Sequence, residues 1–422
     1  MPTINNSYLL DTQLAQHRDR LIDLLAFARQ KVPYYQNIIP SDIKGLVTSS
    51  GQWQRLQLLE KQQIQSNVPI FLSDPNTAND PAVEAVYTSG STGTPLKVFR
   101  SRQEMRVQTK RLWGARKNWH SNIMDWKLIR LFRGAGESPH KKELQLSPNF
   151  LDISRNAISS YMNLVDEYQP DWMYSAPSSA FEWAQVYSSQ SRKISSLKMI
   201  QVSGEQLFDE QRNLIERAFN CPVVNQYGCH EFWILSYECP ERTMHAWGDD
   251  LLLETINDNV DAQSGKVGEL VVTSLTNRIM PLIRYKLGDI VQMNVSNCKC
   301  PNTNFTLTPL GGRTSDIVIT EQRVLSALFL NGIFFDFIRH HDQALLEFQV
   351  VQTDYGHFEI YIVPGKNFNR EIVIDNISES IHLVLPEIQC KFIVCHSINR
   401  TSAGKKKGFV SLINKSKNNI TS

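Results

Sequence analysis

Between Met199 and Val224 the sequence changes its hydrophobic period twice. Met199 to Val202 is a short apolar run closing at Gly204-Glu205, Leu207, Leu214, Ile215 and Phe219 then fit a helix, and Pro222-Val223-Val224 opens another run. Such strand-helix-strand alternation argues for α/β layering.

Other segments extend the reading. Leu21, Leu24, Leu25 and Ala28 recur at i, i+3, i+4 and i+7, a helical stripe ending before Val32-Pro33-Tyr34-Tyr35. From Ala82 to Val86, small and β-branched residues lead into Thr88-Ser89-Gly90-Ser91-Thr92-Gly93-Thr94-Pro95, and Lys97-Val98-Phe99 resumes a strand pattern, so this stretch reads as strand, loop, strand. Past Gly311-Gly312 the texture changes. Phe348 and Val350 alternate, then Phe358, Ile360 and Ile362 alternate beyond a Tyr355-Gly356 turn, and an amphipathic stretch follows near Ile372 to Leu383. The expected organisation is a large N-terminal α/β domain over 1–311 and a small α+β domain over 312–422.

With 422 residues the chain is long enough for a large core without disulfide or metal support. Its 44 basic and 42 acidic side chains leave a formal charge of +2, which gives no electrostatic footprint for nucleic acid or an anionic membrane. Small-molecule chemistry is the better expectation. The most apolar window, Val324 to Ile338, is broken by Ser326, Asn331, Gly332 and Asp336, so no membrane span is expected. The polar start, Met1-Pro2-Thr3-Ile4-Asn5-Asn6, gives a cytoplasmic location as the default. A homodimer is compatible with the chain's size, and no motif marks an interface.

The loop Thr88 to Thr94 can turn backbone N–H groups and hydroxyls onto phosphate oxygens, and Lys97 adds a positive charge. It is not a Walker loop, a dinucleotide loop or a hydrolase elbow, whose glycine, lysine and serine spacings it lacks. A second cluster comes from cysteine. Cys239 and His245 have five residues between them, and Cys298 and Cys300 follow. Together they offer three thiolates and one imidazole for a tetrahedral Zn2+, with no position left open, hence a structural role. Cys221, Cys390 and Cys395 show no such pattern and read as core residues.

Five segments in order carry a resemblance. Thr88 to Pro95 resembles the signature phosphate loop of the adenylate-forming superfamily, Tyr227-Gly228-Cys229-His230-Glu231 its Tyr-Gly-x-Thr-Glu motif, and Arg284 to Asp289 its Arg-Tyr-x-x-Gly-Asp motif. Gly312-Arg313 through Asp316 resembles the hinge motif, and Asn399 to Lys405 the C-terminal lysine motif. Ala28-Arg29 through Tyr35, Ser203-Gly204-Glu205 and Met280 to Arg284 narrow the similarity to the phenylacetate coenzyme A ligase branch, near its capsule-biosynthesis-type members.

The resemblance implies a large N-terminal domain, a mobile small C-terminal domain, and an ATP-dependent, AMP-forming ligase. It would activate a carboxylic acid, aryl or small, and transfer the acyl group to coenzyme A. By the same likeness Thr88, Ser89, Gly90, Ser91, Thr92, Gly93 and Thr94 hold the β- and γ-phosphates, and Glu231 coordinates Mg2+. Tyr227 and Gly228, with Gly204 and Glu205, flank adenine, Asp289 accepts from the ribose hydroxyls with Arg313 close by, and Lys405 supplies charge in the adenylation transition state. His230 stands where the family usually has Thr, and Ser315 where an acidic residue or lysine is expected, followed by Glu321-Gln322-Arg323 in place of a glycine-rich stretch. These departures leave two alternatives: transfer to an amine, sugar or carrier-protein thiol, and a nucleotide-binding homologue without turnover.

Overall fold

A computed structural model describes residues 6–87, 96–131, 143–145, 155–256, 266–301, 305–313, 317–320, 324–327, 330, 333–334, 337–338, 340–341, 344–399 and 407–413. The chain divides into two compact units, Met1–Trp126 with Val224–Leu310, and Lys127–Val223 with Gly311–Ser422.

In the first unit the stripe Leu21, Leu24, Leu25 and Ala28 lies on the helix Arg18–Lys31 and is fully buried. The helix stops at Val32, whose extended backbone is what a residue before proline prefers. Strands Leu251–Ile256, Lys266–Ser274 and Tyr285–Asn294 pair antiparallel, as do Val223–Cys229, Trp233–Glu238 and Met244–Ala246. One core joins this sheet to the N-terminal helices through Leu24, Trp53, Phe71, Leu252, Val272 and Ile283. Each such side chain contributes about 1.5–3 kcal/mol by leaving water. Val83–Tyr87 and Lys97–Ser101 form a separate antiparallel pair with Tyr87 opposite Lys97, which gives the two expected strands, the segment between them lying outside the described residues.

The second unit contains the α/β alternation. Met199–Ser203, Trp172–Ser175, Leu128–Leu131 and Glu143–Gln145 are parallel neighbours in that order. Met199–Ser203 is buried along its whole length, as a parallel strand covered on both faces must be. Helix Pro177–Ser189 starts with proline in its first turn, where the missing N–H costs nothing. Helix Asp209–Phe219 buries Ile215 and Phe219 and ends on Asn220 in the left-handed conformation. Leu207, which shares the helical spacing, precedes the helix and is buried beside it.

The same unit holds the C-terminal sheet, ordered Gln389–Val394, His357–Pro364, Leu345–Asp354, Phe409–Ser411. The Tyr355-Gly356 turn joins the central antiparallel pair, and Phe348, Val350, Phe358, Ile360 and Ile362 all point inward. Val373, Ile377 and Ile381 of helix Arg370–Val384 belong to the same core, and Asn369 caps that helix by accepting from the N–H groups of Glu371 and Ile372. Among the described residues, no helix is long and apolar enough to cross a membrane.

Candidate functional site

The Tyr227 to Glu231 segment ends the strand Val223–Cys229 and turns into Trp233–Glu238. The ladder shifts register between Tyr227 and Gly228, where the chains come so close that a Cβ on Gly228 would sit 2.1 Å from the Trp233 carbonyl oxygen. Only glycine fits. Trp233 itself has φ of 72°, a left-handed conformation rare for a bulky residue, so this turn holds backbone strain of the kind concentrated at functional sites. His230 is exposed at the tip, while Glu231 is buried.

Asp289 lies on the strand Tyr285–Asn294, behind Gly288, whose φ of 85° L-residues rarely adopt. The Tyr227 hydroxyl donates to Asp289 Oδ2 at 2.7 Å. Reciprocally, the Tyr285 hydroxyl donates to Glu231 Oε1 at 3.2 Å. Each motif thus contributes one phenol and one carboxylate, and the pairs cross. Tyr285 was missing from the expected site residues. Its signal was in the sequence, because both motifs read Tyr-x-x-x-acid.

Cys229 ends the strand Val223–Cys229, two residues before Glu231. Burial first, then Glu231 and Asp289, push its thiol well above the ordinary value, with Arg100 acting in the opposite sense. A protonated thiol is a poor nucleophile. Lys97 places its ammonium over the Phe99 ring, 4.7 Å from the centroid.

The backbone ahead of Asp289 is firmly held. Arg284, at φ 51°, is buried and reaches Glu254 with Nη2 to Oε2 at 3.1 Å, donates to the carbonyl of Gln54 at 2.9 Å, and also donates to that of Leu56. Glu254 also accepts from Trp53 Nε1 at 2.8 Å.

In the second unit, Gly204 has φ of 87° and Glu205 Oε2 accepts from the Ser178 N–H at 3.1 Å, at the start of helix Pro177–Ser189. Arg313 ends the strand Thr306–Arg313. Thr88, Ser89, Gly90, Ser91, Thr92, Gly93 and Thr94, the hinge residue Ser315 and Lys405 lie outside the described residues.

The cysteine-histidine cluster forms in the first unit. Cys239 follows the strand Trp233–Glu238, and His245 sits opposite Tyr237 on the next strand. Cys298 and Cys300 come from the segment after Asn294. The four ligand atoms lie within 4.8 Å of one another, with Cys239 Sγ to Cys298 Sγ at 3.6 Å and Cys300 Sγ to His245 Nε2 at 3.1 Å. Zn–S bonds of about 2.3 Å in a tetrahedron put sulfurs about 3.8 Å apart, so the spacing fits that ion. A hydrogen bond from the Thr243 hydroxyl, then the Cys300 N–H, draws the Cys298 thiol down to about 6, while burial pushes Cys239 up to about 12. Two sulfurs this close titrate as a pair, one thiolate disfavouring ionisation of the other.

This chain is 25% identical over 325 residues to a phenylacetate-coenzyme A ligase of Thermus thermophilus, a match covering 72% of this chain and 71% of the relative. It is 26% identical over 208 residues to Protein CapK of Staphylococcus aureus, covering 49% of this chain and 44% of that one. Among solved structures, 2-hydroxyisobutyryl-CoA ligase in the postadenylation state, in complex with R3-HIB-AMP, superposes with a TM-score of 0.72 at 17% identity, over 93% of this chain and 88% of the other, a likeness of fold. No protein-family model matches the chain. The ordered motifs, the crossed pairs that two of them build, and these relatives point the same way: the chain is similar to phenylacetate-coenzyme A ligases and to CapK, and shares the fold of an acyl-CoA ligase.

Proposed function

We propose that this protein is an AMP-forming ligase that activates a carboxylic acid with ATP and transfers the acyl group to coenzyme A in the cytoplasm. The observation that carries the reading is the crossed arrangement, which brings two motif carboxylates, 58 positions apart, under the control of two motif phenols.

The chemistry follows from charge. A carboxylate is a poor electrophile, so its oxygen attacks the ATP α-phosphorus, pyrophosphate leaves, and an acyl-adenylate forms. The thiol of coenzyme A then attacks the acyl carbon and AMP leaves. Asp289 is the acceptor for the ribose hydroxyls, its carboxylate steadied by the Tyr227 hydroxyl, and the Tyr227 ring gives adenine a flat face. Glu231, a hard oxygen donor with Oε2 uncommitted to Tyr285, is the residue that would hold Mg2+, which offsets phosphate charge when bound. His230, exposed on the same turn, is placed to donate from a ring nitrogen where relatives use a threonine hydroxyl. Lys405 is assigned to the α-phosphate by motif position, on a C-terminal domain that moves between the half-reactions.

The cysteine-histidine cluster is proposed as a structural zinc site. Its three sulfurs and one nitrogen match a closed Cys3His set, which would fasten the segment at 298–300 to the hairpin carrying Cys239 and His245.

Acid-dependent AMP formation, with the thioester identified by mass spectrometry, tests the reading. An acyl-CoA appearing only with ATP, one class of acid and coenzyme A supports it. AMP formation with transfer only to amines redirects the acceptor, and no acid-dependent AMP with any acid refutes it.

A further inference from the structure

Glu231 is 8% exposed and Tyr285 is 1% exposed, so their hydrogen bond forms away from bulk water. Among the described residues the Tyr285 hydroxyl is the hydrogen-bond partner of Glu231. The Tyr285 ring also packs against Phe232, the residue after Glu231, with centroids 5.9 Å apart. A carboxylate that must present one oxygen in a fixed direction gains from a rigid donor on the other, and this donor is rigid for reasons that can be traced residue by residue.

The backbone of Tyr285 is held on both sides by Leu59. The Leu59 N–H donates to the Arg284 carbonyl, and the Lys286 N–H donates to the Leu59 carbonyl, both at 2.9 Å. Before it, Arg284 holds a left-handed φ that its N–H to Thr273 Oγ1 bond at 2.9 Å and its buried guanidinium contacts over-determine. The phenol therefore enters the turn at a set position, and Glu231 Oε1 is pinned while Oε2 keeps a defined orientation.

We infer that Tyr285 is a positioning residue for the metal subsite, orienting the Glu231 carboxylate for a divalent cation, whereas Tyr227 serves the nucleotide subsite through Asp289. This rests on the ligase reading above. Outer partners of metal ligands typically govern affinity by about 10- to 100-fold, so the effect is large enough to measure.

The test is Mn2+ binding in the presence of ATP, followed by electron paramagnetic resonance on the full chain. Wild type, Tyr285→Phe, Glu231→Gln, the double variant and Tyr227→Phe are compared after thermal melts establish that each is folded. Expected are about tenfold weaker Mn2+ binding in Tyr285→Phe, no further loss when it is added to Glu231→Gln, and weaker ATP binding as the main effect of Tyr227→Phe. Mn2+ binding unchanged in Tyr285→Phe, or the same loss recurring in the Glu231→Gln background, overturns the inference alone. Wild type that binds no Mn2+ with ATP overturns the ligase reading with it. Should Tyr285→Phe fail to fold, Glu231→Asp, which withdraws the carboxylate from the phenol, is measured instead, and undiminished Mn2+ binding in it overturns the inference.

Discussion

The Tyr227 hydroxyl and Asp289 Oδ2 meet at 2.7 Å across 62 positions of sequence. This hydrogen bond ties the end of one motif strand to the middle of another and fixes the Asp289 carboxylate in place. Tyr227→Phe removes the bond and keeps the ring. A hydrogen bond to a charged group is worth about 1.5–3 kcal/mol, so steady-state kinetics should show the KM for ATP rising roughly tenfold with a smaller change in kcat. A KM for ATP equal to that of wild type would contradict the assignment.

Arg284 and Glu254 are both almost fully buried and face each other at 3.1 Å. Arg284→Ala leaves an uncompensated carboxylate in the core and loses the bonds to the carbonyls of Gln54 and Leu56. Denaturant unfolding should show a loss of about 3–5 kcal/mol, well above that of an exposed arginine such as Arg102→Ala.

Chelation of the proposed zinc should loosen the first unit. Elemental analysis of protein purified without chelator is expected to give a single zinc per chain, lost in Cys298→Ser and His245→Ala, with a lower Tm in both. Metal-free protein with a Tm unmoved by chelator or by added zinc would argue that the cluster is only four packed side chains.

Burial, then Arg20, hold His17 below its ordinary value of 6.5, so the folded chain favours the neutral ring. Protonation therefore favours unfolding. The contribution of His17 is present above pH 6.5 and is lost as pH falls from there through the lower folded-state value. His17→Gln, which cannot take up the proton, should show a flatter decline of Tm over that acidic window. Parallel declines in variant and wild type would place the pH dependence elsewhere.

Much of this architecture was legible because it rests on local periodicity. The alternation around Met199 to Val224 became a parallel strand, a helix and a further strand, and the inward sets Phe348, Val350 and Phe358, Ile360, Ile362 became the core of the C-terminal hairpin. The same local logic overreached at Leu207, whose spacing suited a helix that begins only at Asp209. The site was legible as separate motifs, and their crossing was not. Nothing in the hydrophobic pattern says that Tyr227 reaches Asp289 and Tyr285 reaches Glu231, since that depends on strand register and on the bulge at Gly228. The Trp233 conformation is likewise invisible in sequence, because it belongs to a turn where the Gly228 backbone comes close to the Trp233 carbonyl across two strands. The cysteine-histidine cluster lies between, with residue types readable and their convergence set by the pairing of His245 with Tyr237.

The central claim, acid activation through an adenylate, is tested most directly by ATP–pyrophosphate exchange against a panel of aryl, short aliphatic and amino acids, with Asp289→Ala and Lys405→Ala as comparisons. The account predicts exchange that depends on one class of acid and collapses in Asp289→Ala. Measurable ATP binding with no exchange for any acid would contradict it and leave a nucleotide-binding protein without turnover.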